Sequence, residues 1–228
     1  FTVATAWKDL KLAPGSGREI GFTATRIDGY EGPISVEVSG LPASLSVAQY
    51  IEIEAGQDRA FATLRASDDF AGLSEEEAAK VKVTARAVID GREVAKDVGK
   101  AAPVALVKEP KLRVHLKPDG ESGKMAEDGV LEFTIRPGET ITALVAAERK
   151  GFEDEVRFGT EESGRNLPHG IYVDNIGLSG LMIHAGKDEQ WLFITASKIA
   201  KPTVRDFHLS TNMDGGHTTQ RARLRVAP

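Results

Sequence analysis

The sequence predicts an all-β protein of two tandem antiparallel β-sandwiches, residues 1–108 and 109–228. Three observations carry this. Apolar and polar residues alternate in short runs, as they do in strands that bury one face. Glycine, proline and aspartate punctuate the runs, as turns require. And the whole pattern occurs twice along the chain.

The repeat is legible residue by residue. Pro14-Gly15 returns as Pro137-Gly138, Gly29-Tyr30-Glu31 as Gly151-Phe152-Glu153, and Leu41-Pro42 as Leu167-Pro168. Ala55-Gly56-x-Asp58 returns as Ala185-Gly186-x-Asp188, and Asp90-Gly91 as Asp214-Gly215. In chain order the offsets are 123, 122, 126, 130 and 124 residues, so order is kept and only loop lengths differ.

Taken in order, the first half has alternating sets at Ile20, Phe22 and Ala24, then Ile34, Val36 and Val38, then Ile51 and Ile53. Ala62, Leu64 and Ala66 follow, and Val81, Val83, Ala85 and Ala87 close the series. Between the last two, Ser74-Glu75-Glu76-Glu77 has the form of a capping box, so one short helical turn is expected near residues 75–80, crossing between sheets. The second half has runs at Leu131–Ile135, Ile141–Ala146, Ile171–Val173 and Trp191–Ala196, then Phe207 and Leu209, then Ala222, Leu224 and Val226. Asp90-Gly91 and Asp214-Gly215 each sit between two runs and predict hairpins. Lys108-Glu109-Pro110-Lys111 suits an exposed joint, and Lys117 to Asp128, rich in glycine and charge, reads as a mobile loop.

Composition excludes several functions. With 41% hydrophobic and 28% charged residues the chain buries a core rather than remaining disordered. A net charge of −5 argues against nucleic acid, whose phosphates call for a basic surface. The absence of cysteine removes disulfide scaffolds, zinc ribbons and thiol nucleophiles. No stretch reaches the roughly 20 apolar residues of a membrane span, so membrane insertion is not expected. The chain opens on Phe1 and carries no signal peptide, which is expected of a processed or excised segment that has lost any targeting sequence it had.

One ordered set of motifs resembles a known family. Arg26-x-x-Gly29-Tyr30-x-Gly32-x-Ile34 is followed by Gly40-Leu41-Pro42-x-x-Leu45 and Ile53-x-Ala55-Gly56. This resembles the immunoglobulin-like repeat domains found in tandem in large secreted and envelope proteins of bacteria. The second half departs from it, with Asp154 at the second glycine and Glu161–Asn166 inserted before Leu167-Pro168. The resemblance implies a periplasmic, cell-surface or extracellular location. It also implies a non-catalytic spacer or protein-contact module, whose partners are other domains of the parent protein or envelope proteins. The alternative it leaves open is a carbohydrate-binding accessory module attached to a secreted enzyme. Fold alone assigns neither.

Candidate sites are few. There is no Gly-x-Ser-x-Gly elbow and no His-Glu-x-x-His helix, and Gly123-Lys124 runs into Met125, where a phosphate-binding loop needs a hydroxyl. No enzyme activity and no cofactor are expected. Asp68 and Asp69, with Glu75 and Glu76 nearby, are the candidate calcium ligands, against the plainer reading of solvated loop acids. His115, His169, His184, His208 and His217 lack ligand spacing. Arg221, Arg223 and Arg225 alternate with the core residues of the last run and form a cationic row, either for an anionic glycan or protein or as the blunted edge of a sheet. For sugar stacking the surface candidates are Trp7 and Tyr172. Trp191, aligned with Phe61, is assigned to the core, and Tyr30 and Phe152 share a packing position at a strand corner.

Overall fold

Ile20, Phe22 and Ala24 lie in one strand and are buried, while Thr23 and Thr25 of that strand face solvent. The same division recurs strand after strand and gives each half of the chain its own core. The computed structural model describes residues 1–120 and 122–228, and the chain divides into two units, Phe1–Lys108 and Glu109–Pro228.

In the first unit the strands are β1 (Thr2–Thr5), β2 (Leu10–Leu12), β3 (Gly17–Thr25), β4 (Ile34–Ser39), β5 (Leu45–Val47), β6 (Ile51–Ile53), β7 (Arg59–Ala66), β8 (Lys82–Ile89), β9 (Arg92–Lys100) and β10 (Val104–Leu106). They form sheets of order β1-β3-β7-β5 and β6-β4-β8-β9, with β2 and β10 paired parallel. The first order is the A-B-E-D sheet and β4-β8-β9 the C-F-G sheet of an immunoglobulin-like sandwich. Ile20, Phe22 and Leu64 from one sheet and Ile34, Ile53, Val83 and Ala85 from the other share one core. The helix α1 (Glu75–Ala78) crosses between sheets, from β7 to β8. Its Ser74 side chain accepts from the Glu77 amide and the Glu77 carboxylate from the Ser74 amide, the expected capping box. Asp90 (φ 49°) and Gly91 (φ 75°) make the two-residue turn between β8 and β9, both in the left-handed region a tight hairpin needs.

The second unit holds β11 (Leu112–Pro118), β12 (Gly123–Met125), β13 (Leu131–Ile135), β14 (Thr140–Arg149), β15 (Val156–Arg157), β16 (Ile171–Val173), β17 (Met182–Ile183), β18 (Glu189–Ala196), β19 (Thr203–Phe207), β20 (Ser210–Thr211), β21 (His217–Thr218) and β22 (Ala222–Val226). The order β11-β14-β18-β16 reproduces β1-β3-β7-β5. The opposing layer is split into β12-β13-β22-β19 and the ribbons β15-β17 and β20-β21. Phe133, Val145, Leu192, Ile194, Phe207 and Leu224 share its core.

Two expectations need correction here. The segment from Lys117 to Asp128 is not one long loop: Lys117 and Pro118 end β11 and Gly123–Met125 form β12, which pairs with β13. Glu121 lies outside the described residues. The Asp214-Gly215 hairpin has a longer loop than its counterpart, and its Asp214 is bonded to β11. Its Oδ2 accepts from the amides of Lys111 (2.9 Å) and Leu112 (3.2 Å), and Gln220 Oε1 accepts from the Leu116 amide at 3.0 Å. These two side chains supply β11 with hydrogen-bond partners on the edge away from β14. Among the described residues no helix is long and apolar enough to cross a membrane.

Candidate functional site

The arginine that opens the family-like motif has a structural task in both units. Arg26 follows β3, and its guanidinium donates to four carbonyl oxygens. Nε and Nη2 reach Gln57 (2.9 and 2.8 Å), Nη2 also reaches Glu54 (2.8 Å), and Nη1 reaches Gly32 (2.7 Å) and Tyr30 (3.3 Å). Arg149, the last residue of β14, repeats the arrangement on Lys187, His184, Asp154 and Phe152. Each guanidinium also lies 5.9 Å from the ring that follows it, Tyr30 or Phe152. A planar fork with five donors is suited to gathering two loops at a strand corner. This explains why Tyr30 and Phe152 recur in the sequence.

The cationic row on the last strand does not exist as a free surface, and β22 is not a sheet edge. It lies between β13, parallel, and β19, antiparallel. Ala222, Leu224 and Val226 face the core as expected, but the arginines are taken up by acids on the neighbouring strands and on the turn before β13. Arg223 meets Asp128 at 2.7 Å and both Glu132 and Asp206 at 3.7 Å. Arg225 pairs with Glu132 at 3.2 Å and Arg221 with Asp206 at 3.2 Å. Three cations face three carboxylates, so an anionic ligand would have to displace the acids. The Arg225 hydrogen bond, outweighing the cost of burial, holds the Glu132 carboxyl below its ordinary range, helped by the charges of Arg225 and Arg223. The Arg223 hydrogen bond does the same for Asp128.

Trp7 is a correction too. It is 3% exposed, and its Nε1 donates to the carbonyl of Ala102 at 3.1 Å, so the ring belongs to the first core and offers no face to a sugar. Asp68 and Asp69 gain no further acid: among the described residues no three metal-ligating side chains stand together, and Asp69 accepts from the Ser67 hydroxyl. His208 and His217 are buried on the β20–β21 side of the second unit.

Tyr172 is 48% exposed, and it has company that the sequence reading missed. Trp191, assigned to the core, is 47% exposed. The buried set of β18 is Leu192, Ile194 and Ala196, which turns Trp191, Phe193 and Thr195 outward. Register puts Leu144 opposite Trp191, Thr142 opposite Phe193, and Tyr172 opposite Thr195. One outer sheet face therefore carries Leu144, Trp191, Phe193 and Tyr172, on three adjacent strands. The run Trp191-Leu192-Phe193-Ile194 is apolar throughout and hides its own phase. The repeat would have supplied it, since Ala62, Leu64 and Ala66 of β7 fix which residues face inward.

No family model and no curated protein sequence matches this chain. Similar solved structures include a protein of unknown function from Porphyromonas gingivalis W83, at 12% identity over 100% of both chains and a TM-score of 0.34. The D0-D1 domain of intimin is 14% identical over 97% of this chain and 96% of that one, with a TM-score of 0.30. Domains 5-6 of the S-layer protein SbsC are 13% identical over 99% and 96%, with a TM-score of 0.32. Likenesses this distant carry no functional argument, and the fold assignment rests on the strand order.

Proposed function

We propose that the chain is a non-catalytic pair of immunoglobulin-like domains that spaces or presents other parts of a larger exported bacterial protein, or carries its contacts with envelope partners. The observation that supports this most is the doubled arginine corner. In both units the convergent polar groups at equivalent positions hold loops to strands, and the charged cluster on β13, β22 and β19 is closed on itself. Side chains engaged in this way with backbone carbonyls and with one another maintain a shape. A hollow of about 260 Å³ on the outer face of β4 and β8 fits the same description, since Arg86 there is engaged by Glu93 at 3.2 Å and Glu37 at 3.6 Å.

Cross-linking in intact source cells, followed by mass spectrometry, tests the reading. Cross-links to the parent protein or to envelope proteins are expected, with the chain in the periplasmic, surface or secreted fraction. Recovery with cytosolic proteins alone would contradict it, as would turnover above buffer on ester, glycoside, peptide or phosphate substrates.

A further inference from the structure

The outer face of β11-β14-β18-β16 differs from that of its first-unit counterpart in a way folding does not demand. At the positions of Leu144, Trp191, Phe193 and Tyr172 the first unit has Gly21, Phe61, Thr63 and Ser46, at the repeat's own offsets of 123, 130, 130 and 126 residues. There the Phe61 ring lies on Gly21: a Cβ on that glycine would meet its Cε1 at 3.6 Å. In the second unit Leu144 stands opposite Trp191, and Trp191 is 47% exposed. The same strand order thus forms once without an aromatic strip and once with it. We infer that the strip is a binding platform for a neutral, flat polysaccharide of β-1,4-linked pyranoses.

The surroundings select this occupant. Asp119 and Asp174 flank the strip on either side of Phe193; Thr142 Oγ1 donates to Asp119, and Thr195 Oγ1 to Asp174. A carboxylate with one donor bound keeps lone pairs for ligand hydroxyls, and two carboxylates repel a polyanion. Pyranose rings present apolar C–H faces that pack on the electron-rich faces of aromatic rings, with hydroxyls at their edges. From Trp191 to Tyr172 the strip advances four residues along β18, roughly 14 Å at strand spacing. That length suits several units of an extended ribbon rather than one sugar. Three partly exposed rings offer roughly 300 Å² of apolar surface, well short of the roughly 800 Å² that each side of a stable protein interface buries. This inference is independent of the spacer role, which survives its failure.

The test is fluorescence titration of the full chain with cellohexaose, chitohexaose and mannohexaose, beside pull-down on microcrystalline cellulose and chitin. Trp7 is buried and Trp191 half exposed, so a blue shift on binding reports Trp191. The expected result is saturable binding of at least one of these glycans. Trp191→Ala and Tyr172→Ala should each weaken it about tenfold, roughly the effect of one good contact, while Trp191→Phe keeps most of it. Trp191→Thr, a strand-favouring substitution, serves if the alanine variant melts early. Absence of binding to every probe overturns the inference, as does binding unchanged in Trp191→Ala/Tyr172→Ala. Capture of heparin or polygalacturonate alone overturns it too, and so does self-association in sedimentation that Trp191→Ala abolishes.

Discussion

Replacing Arg26 with alanine removes five hydrogen bonds from one guanidinium to four carbonyls, from a side chain only 12% exposed. Charge-assisted bonds contribute about 1.5–3 kcal/mol each when the acceptor is stranded, but these carbonyls lie on loops that water reaches once the side chain is gone. The net loss is therefore nearer that of one broken network, about 3 kcal/mol. In a domain of this size that lowers the melting temperature by roughly 15 °C. Arg26→Lys keeps the charge but loses the fork, so it should recover less than half of the loss. Arg149→Ala, with the same partners in the second unit and 11% exposure, should cost as much there. Hydrogen-exchange mass spectrometry on the full chain separates the two. Arg26→Ala should release the Gly56 amide, which donates to Glu31 O at 3.0 Å, and Arg149→Ala the Lys187 amide, which donates to His184 O at 3.0 Å. A loss below about 0.5 kcal/mol, the range of ordinary surface substitutions, would refute the corner's role, and so would full rescue by lysine.

Three further perturbations follow from the structure. Arg223→Ala leaves Asp206, 1% exposed, and Glu132 facing fewer cations, and should destabilise the second unit by about 3–5 kcal/mol in urea melts, whereas Arg225→Ala should cost less because that side chain is 47% exposed. Because the folded Glu132 pKa is lowered from 4.5, its contribution is complete above that value and disappears as pH falls through the folded value; acid urea melts should show this loss, and Arg225→Ala should flatten it. Gly180→Ala puts a Cβ 1.8 Å from Gly159 O at φ +79° and should cost at least about 2 kcal/mol, while Ser74→Ala removes only the helix cap, about 1 kcal/mol, both read from thermal melts.

The sequence displays whatever repeats and hides whatever depends on a neighbour. Ile20–Ala24, Ile34–Val38 and Ala222–Val226 declare their faces by alternation alone, and Ser74 with Glu77 declares a cap by spacing, since both are local rules. The fate of Arg221, Arg223 and Arg225 turned on whether β22 had strands on both sides. Nothing within the last run reveals that β13 pairs with it in parallel or that Glu132 and Asp206 fall opposite Arg223. Trp7 looked like a surface ring because its partner, the Ala102 carbonyl, is 95 residues away. Trp191 looked like a core ring because four successive apolar residues erase the two-residue period. Comparing the halves position by position resolves that ambiguity, and the same comparison isolates the aromatic face.

One sandwich plan is built twice in this chain, each copy with its own core. The most direct measurement is the amide NMR spectrum of residues 1–108 and of residues 109–228, each expressed alone and compared with the full chain. Two dispersed β-sheet spectra are expected, each with slow exchange for the amides of its own core strands. Collapse of either half to an unfolded spectrum would contradict it.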